Sequence, residues 1–236
     1  MARAHGAMGE PLAALDAFTR AGTRWIHLVD MDRAYGRPDN HELIGAVLQA
    51  ATVHVQVGGG LFREADIDQM FTLGATRVVI GPRGAVDDTL VKRLVARHGT
   101  TRLAAGIDAK DGRVAPRGAR GARGARGGGA MGILDLTAQE LATRVSRLGI
   151  RTIIYNEVTR DGTLTGPDIQ GAQQLAALGL DVIVSGGRCS PSRACPARSR
   201  ASRSAGARPE SYRRDRHRCP PASSSDRGCA GSRTAP

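Results

Sequence analysis

Lysine is almost missing from this chain: Lys92 and Lys110 are the only two, so arginine supplies nearly all of the positive charge. That bias is common in proteins translated from GC-rich coding sequence. Long apolar runs are missing too. None approaches the roughly 20 residues that a membrane-spanning helix needs, and the opening MARAHGAMGEP has no signal-peptide core. No membrane association is expected, and the cytoplasm is the expected compartment. Cysteine is absent up to residue 188. Cys189, Cys195, Cys219 and Cys229 all follow, with no C-x-x-C pair among them. Such spacing argues against a zinc site, so no metal is expected.

The net charge of +12 would suit a nucleic-acid or membrane binder. Its placement removes that suggestion. From Arg188 onward, twelve arginines stand against three acidic residues and contribute +9; Arg117, Arg120, Arg123 and Arg126 contribute +4. The remainder therefore carries −1 and is close to neutral. A basic protein gripping nucleic acid through these two segments is the alternative reading, and its affinity would fall steeply with salt. No nucleic-acid partner is expected.

What is present, between residues 11 and 187, is one unit repeated six times. A helical stretch leads each time into an apolar run: PLAALDAFTRAG into WIHLVDMD, ELIGAVLQA into VHVQVGGG, READIDQMFTLG into RVVIGP, DDTLVKRLVARHG into LAAGIDAKDG, TAQELATRVSRLG into TIIYNEVTRDG, and DIQGAQQLAALG into DVIVSGG. The apolar runs are continuous and rich in Val and Ile, as in parallel strands covered on both faces. The helical stretches carry apolar residues at i, i+3 and i+4, and most stop at a glycine (Gly22, Gly74, Gly99, Gly149, Gly179). The fold class is therefore α/β, and a spacing of about 25–30 residues favours a (β/α) barrel over an open doubly wound sheet. Domain organisation follows: 1–187 form the barrel domain. Within it, the period-three run RGARGARGARGGG makes 113–132 a flexible Arg/Gly loop. The tail, 188–236, contains no Leu, Ile, Val, Met, Phe or Trp and is expected to be disordered.

The six strand ends hold the polar and glycine residues: Asp30 and Asp32, Gly58 to Gly60, Gly81, Asp108, Asn156 to Asp161, and Ser185 to Gly187. In a barrel these ends meet on one face, where sites are built. Glycine there lets backbone N–H groups approach a phosphate closely. Two such cradles would suit a substrate with a phosphate at each end.

The segment YNEVTRDGTLTGPD, taken with HLVDMDRAYGRPDN, GGGLF and GIDAKDGRVA, resembles the phosphoribosylformimino-aminoimidazole carboxamide ribotide isomerase family of histidine biosynthesis. All six strand ends match in order, over about residues 11–187. The sister cyclase of that pathway shares the fold and the DGT element, but its second strand and the residues after DGT usually read differently. An actinobacterial form of the isomerase also serves tryptophan synthesis. The resemblance implies a (β/α)8 barrel, of which strands 2 to 7 are recognisable. It implies an Amadori rearrangement of a small bis-phosphate substrate with no cofactor, and a monomer. It makes Asp108 a catalytic acid–base residue and Asp161 an aspartate that supports it. Gly59, Gly60 and Gly81 match one phosphate site, and Gly186 and Gly187 match half of the other. Asn156, also placed among the substrate-binding residues, stands where the family usually has Thr or Ser.

The chain departs from the family at three further places. No residue matches the catalytic aspartate that ends the family's first strand. Ala119 follows Gly118 where a tryptophan is usual, and the arginine-rich tail stands in place of the last helix and strand. A mis-assigned start and a change of reading frame near Arg188 are the expected causes, and activity is expected to suffer. Resequencing the coding DNA from upstream of Met1 through Gly187 tests this. An apolar strand ending in glycine, found in another frame after Gly187, is the expected result; a confirmed frame would overturn it.

Overall fold

The computed structural model describes residues 10–115, 135–161, 163 and 165–187. The Arg/Gly loop from 116 to 134 and the basic tail, 188–236, lie outside the described residues. In chain order the elements are α1 (Pro11–Arg20), β1 (Trp25–Val29), α2 (Met31–Ala34), α3 (His41–Ala50), β2 (His54–Gly58), α4 (Glu64–Thr72), β3 (Arg77–Ile80), α5 (Pro82–Ala85), α6 (Asp88–His98), a 3-10 turn (Thr100–Arg102), β4 (Leu103–Lys110), β5 (Arg113–Val114), α7 (Ala138–Arg147), β6 (Thr152–Glu157), α8 (Ile169–Ala176) and β7 (Asp181–Ser185).

Local chemistry fixes where several helices begin. The side chains of Asp30, Asp87 and Asp168 accept hydrogen bonds from backbone N–H groups three residues on. Thr137 and Glu140 complete a reciprocal capping box on α7. The five glycines expected to stop helices all have positive φ. No described helix is long and apolar enough to cross a membrane.

All six expected strands form, and they pair in parallel in the order β1-β2-β3-β4-β6-β7. That order rises without reversal, whereas a doubly wound sheet reverses at a switch point. The packing agrees. Val55, Val57, Val78, Ile80, Leu103, Ala105, Ile107, Ile153 and Tyr155 share one core cluster with the apolar faces of α3, α4, α6, α7 and α8. Their strand neighbours of opposite parity do not: Val79, Ala104 and Ile154 form a separate small cluster. All these helices therefore cover one face, as right-handed crossovers require when the order never turns back. The fold is an incomplete (β/α)8 barrel, with β1 to β4, β6 and β7 as strands 2 to 7.

The inner face begins with a polar layer near the strand starts. Arg77 donates from Nε to Gln56 Oε1 at 2.9 Å and from Nη1 to Thr152 Oγ1 at 3.3 Å. Gln56 Nε2 lies 3.0 Å from His27 Nδ1, and the Arg77 guanidinium sits 4.6 Å above the centre of the Trp25 ring. Burial pulls the Arg77 pKa below its usual value, while the Asp181 carboxylate opposes that shift.

The ends of the sheet differ from its middle, and the bounds of the expected loop need correction. Coverage on both faces holds for the central strands, but β1 and β7 are half-exposed: Trp25, Val29 and Ile183 on the inner face remain open to solvent. Residues 113 and 114, assigned above to the flexible loop, form β5, antiparallel to β4. Asp111 and Gly112 make the hairpin turn, at φ of 53° and 76°. An Asp-Gly pair between strands is the usual signal for such a turn.

Ile107 sits in the middle of β4 with 1% of its surface exposed. Ile107→Ala is expected to lower unfolding free energy by about 2–5 kcal/mol, read by urea denaturation. Truncating exposed Phe18 to Ala is expected to change it by less than about 0.5 kcal/mol.

Candidate functional site

The sheet register sets the site. Asp108 on β4 pairs with Asn156 on β6, and Asn156 pairs with Ser185 on β7. The three lie in one row on the inner face, at the carboxyl ends of their strands. Below this row, Ile154, opposite Gly106, and the Val79–Ala104 pair one step further down form an apolar floor on the same face.

Asn156 is 3% exposed. Its Nδ2 donates to Asp108 Oδ1 at 3.1 Å and to Asp161 Oδ2 at 3.2 Å. The amide's orientation follows from its partners, since carboxylate oxygens accept and only the amide nitrogen can donate. Its Oδ1 is buried and has no hydrogen-bond partner among the described residues.

Asp161 reaches this row from the turn after β6, which is tied down at several points. Val158 N–H donates to the Ala109 carbonyl at 2.8 Å. Thr159 donates from Oγ1 to Glu157 Oε1 at 2.9 Å, and Arg160 donates from Nη1 to the Gly166 carbonyl at 3.4 Å. The return into α8 is anchored from the outer face, where Tyr155 donates to Asp168 Oδ2 at 2.8 Å. Burial and that carboxylate push the Tyr155 phenol far above its usual pKa.

The glycines expected at phosphate sites divide into two groups. Gly59, at φ 98°, has no room for a side chain: a Cβ would overlap the Asp30 backbone. At Gly60 a Cβ would lie 2.7 Å from the Arg33 backbone, and at Gly186 and Gly187 it would overlap Asn156 and the Gly166 carbonyl respectively. Close packing accounts for these four. Gly81 is different. Its φ is −65°, and the nearest atom to a Cβ would be the Leu61 carbonyl oxygen at 3.6 Å. Neither backbone nor packing requires glycine there.

Asp30 and Asp32, at the end of β1, serve the local fold. Asp30 accepts from Arg33 N at 3.0 Å, Asn40 N at 3.0 Å and Asn40 Nδ2 at 2.9 Å. Asp32 has its pKa lowered by hydrogen bonds from Asn40 and Arg37. The structure thus brings Asp108, Asn156, Asp161 and Gly186 together and places Gly59, Gly60 and Gly81 at the ends of the neighbouring β2 and β3. Sequence reading missed the apolar floor of Val79, Ala104 and Ile154. Its signal was present, since each lies an even number of residues from a strand-end residue on the same face.

These features define a (β/α)-barrel protein whose site is built from strand-end residues at the carboxyl edge of a singly wound sheet. Comparison with known proteins narrows the class. The family described as histidine biosynthesis protein matches residues 1–196, and the chain belongs to it. Among the relatives are proteins of Pelotomaculum thermopropionicum (37% identical over 76% of this chain), Thermomicrobium roseum (38% over 79%) and Listeria monocytogenes (37% over 75%). Each is named as an isomerase of an imidazole-4-carboxamide carrying two phosphoribosyl groups. The chain spans 65%, 72% and 70% of their respective lengths.

Gly59→Ala and Gly81→Ala separate the two kinds of glycine. The first is expected to cost more than about 1 kcal/mol, from a side chain forced to positive φ. The second is expected to leave the thermal midpoint within about 1 °C of the parent. Differential scanning calorimetry of both variants checks the contrast.

Proposed function

We propose that this chain is an aldose–ketose isomerase, carrying out an Amadori rearrangement on a small substrate with a phosphate at each end. The observation that carries the reading is the Asp108–Asn156–Asp161 cluster at the carboxyl edge of the sheet. It sits in a family whose relatives are named as isomerases of a doubly phosphoribosylated compound.

The reaction moves protons and needs no external oxidant. A proton delivered to the ribose ring oxygen opens the ring and leaves a protonated C1=N bond. Removal of the proton on C2 sends that electron pair into a new C1=C2 bond, and the iminium pair settles on nitrogen. The resulting enol then becomes a ketone at C2, and C1 takes up a proton. One carboxyl group can serve as base at C2 and then as acid at C1, if it is fixed beside both. Asp108 is assigned that part. Asp161, held by the same amide nitrogen, supports it. The floor of Val79, Ala104 and Ile154 strengthens electrostatic effects on that side of the row.

Gly81 belongs to the first phosphate cradle, with Gly59 and Gly60 shaping the neighbouring turn; Gly186 and Gly187 belong to the second. A glycine that neither φ nor packing demands fits a place where a ligand comes close to the backbone. The reading implies a monomer working in the cytoplasm on a small molecule.

Turnover of the aminoaldose, followed by absorbance, tests the assignment. Asp108→Asn is expected to lower kcat by about 10²–10⁴-fold; unchanged turnover would remove Asp108 from the mechanism. Gly81→Ala is expected to raise KM about tenfold, equivalent to ~1.4 kcal/mol of lost binding, with kcat nearly unchanged.

A further inference from the structure

The structure assigns Asn156 as a positioning residue: a bidentate amide clamp that fixes the spacing and orientation of Asp108 and Asp161. The inference deepens the isomerase reading and rests on it for its kinetic arm only.

Three observations carry it. First, a single nitrogen supplies both donors, one to Asp108 Oδ1 and one to Asp161 Oδ2. The two acids come from different segments, β4 and the turn after β6, so the amide joins two parts of the site. A Thr or Ser hydroxyl at this position has one hydrogen and could donate to only one of them. Second, the orientation that serves both carboxylates leaves Oδ1 buried with no donor among the described residues. A buried acceptor without a partner is unfavourable. An amide kept in that state, in a cluster with two acids, does not serve stability first. Third, the surroundings are shaped to this rotamer. Any side chain at Gly186 would overlap Asn156 Oδ1, and a Cβ there would also lie 2.6 Å from Asp161 Oδ1. The glycine at the end of β7 therefore makes room for the clamp itself.

Function and stability should then respond in opposite directions. Asn156→Leu keeps the volume but removes both donors and the unpaired acceptor. Its kcat is expected to fall about 100-fold, the lower range for losing acid–base assistance, while KM stays within about threefold. Its thermal midpoint is expected to be no lower than the parent's. Asn156→Thr restores one donor and is expected to recover part of the lost kcat. A merely structural role predicts the reverse: a lowered midpoint with kcat preserved, and no rescue by Thr.

A second measurement does not depend on turnover. In 1H–15N spectra the two side-chain amide protons of Asn156 are expected to exchange slowly with solvent. Asp108→Ala is expected to shift mainly one of them, and Asp161→Ala mainly the other. Fast exchange, or insensitivity to both substitutions, would overturn the clamp whatever the kinetics. If the spectra show the clamp but the parent protein fails to convert the aminoaldose, the isomerase reading fails and the clamp stands.

Discussion

Because the helices packed on the sheet lie on one of its faces, the other face is built, among the described residues, from strand side chains and the turn after β6. Everything distinctive about the inner side follows. Side chains from neighbouring strands have to meet in rows, because the parallel register places them opposite one another. Neighbouring rows pool into patches, since Ala104 lies opposite Thr152 and Ile154 opposite Gly106, and each patch has one chemical character. Near the strand starts it is the Arg77 layer with Gln56, His27 and Thr152. In the middle it is Val79, Ala104 and Ile154. At the carboxyl ends it is Asp108 and Asn156, joined there by Asp161.

The same constraint explains how much of this could be read in the sequence. Six strands and their helices were legible because buried parallel strands are written as unbroken Val/Ile runs, and helices stop at glycines that the structure places at positive φ. Asp108, Asn156 and Asp161 were legible as strand-end polar residues. Their joining was not, because no pattern within one segment reports a hydrogen bond between residues 48 apart. The half-exposure of β1 and β7 follows from the absence of recognisable strands 1 and 8 beside them and not from their own residues, since Trp-Ile-His-Leu-Val and Asp-Val-Ile-Val-Ser look like interior strands. Hydropathy alone cannot say which strand ends a sheet. The β5 hairpin was hidden for another reason. Its Asp-Gly turn signal is present, but it stands directly beside the arginine repeat, whose composition is that of a loop.

The glycines show where motif and mechanism part. Five of them look alike as strand-end glycines, yet four are fixed by what the backbone packs against. Gly59 and Gly60 are pressed on the Asp30–Arg33 turn, itself held by Asp30 and Asn40. Among the described residues, nothing packed around Gly81 accounts for glycine there.

The alternation along β4 has one more consequence. Gly106 and Asp108 face inward, whereas Ile107 and Ala109 belong to the helix-covered core. A residue added or removed between Leu103 and Asp108 would exchange the two sets, pressing a carboxylate into the hydrocarbon layer and turning isoleucine toward the acids. Heredity can therefore revise this strand letter by letter but cannot lengthen or shorten it. Change in the family should accumulate as replacements within strands and as differences of length only in the connections between them.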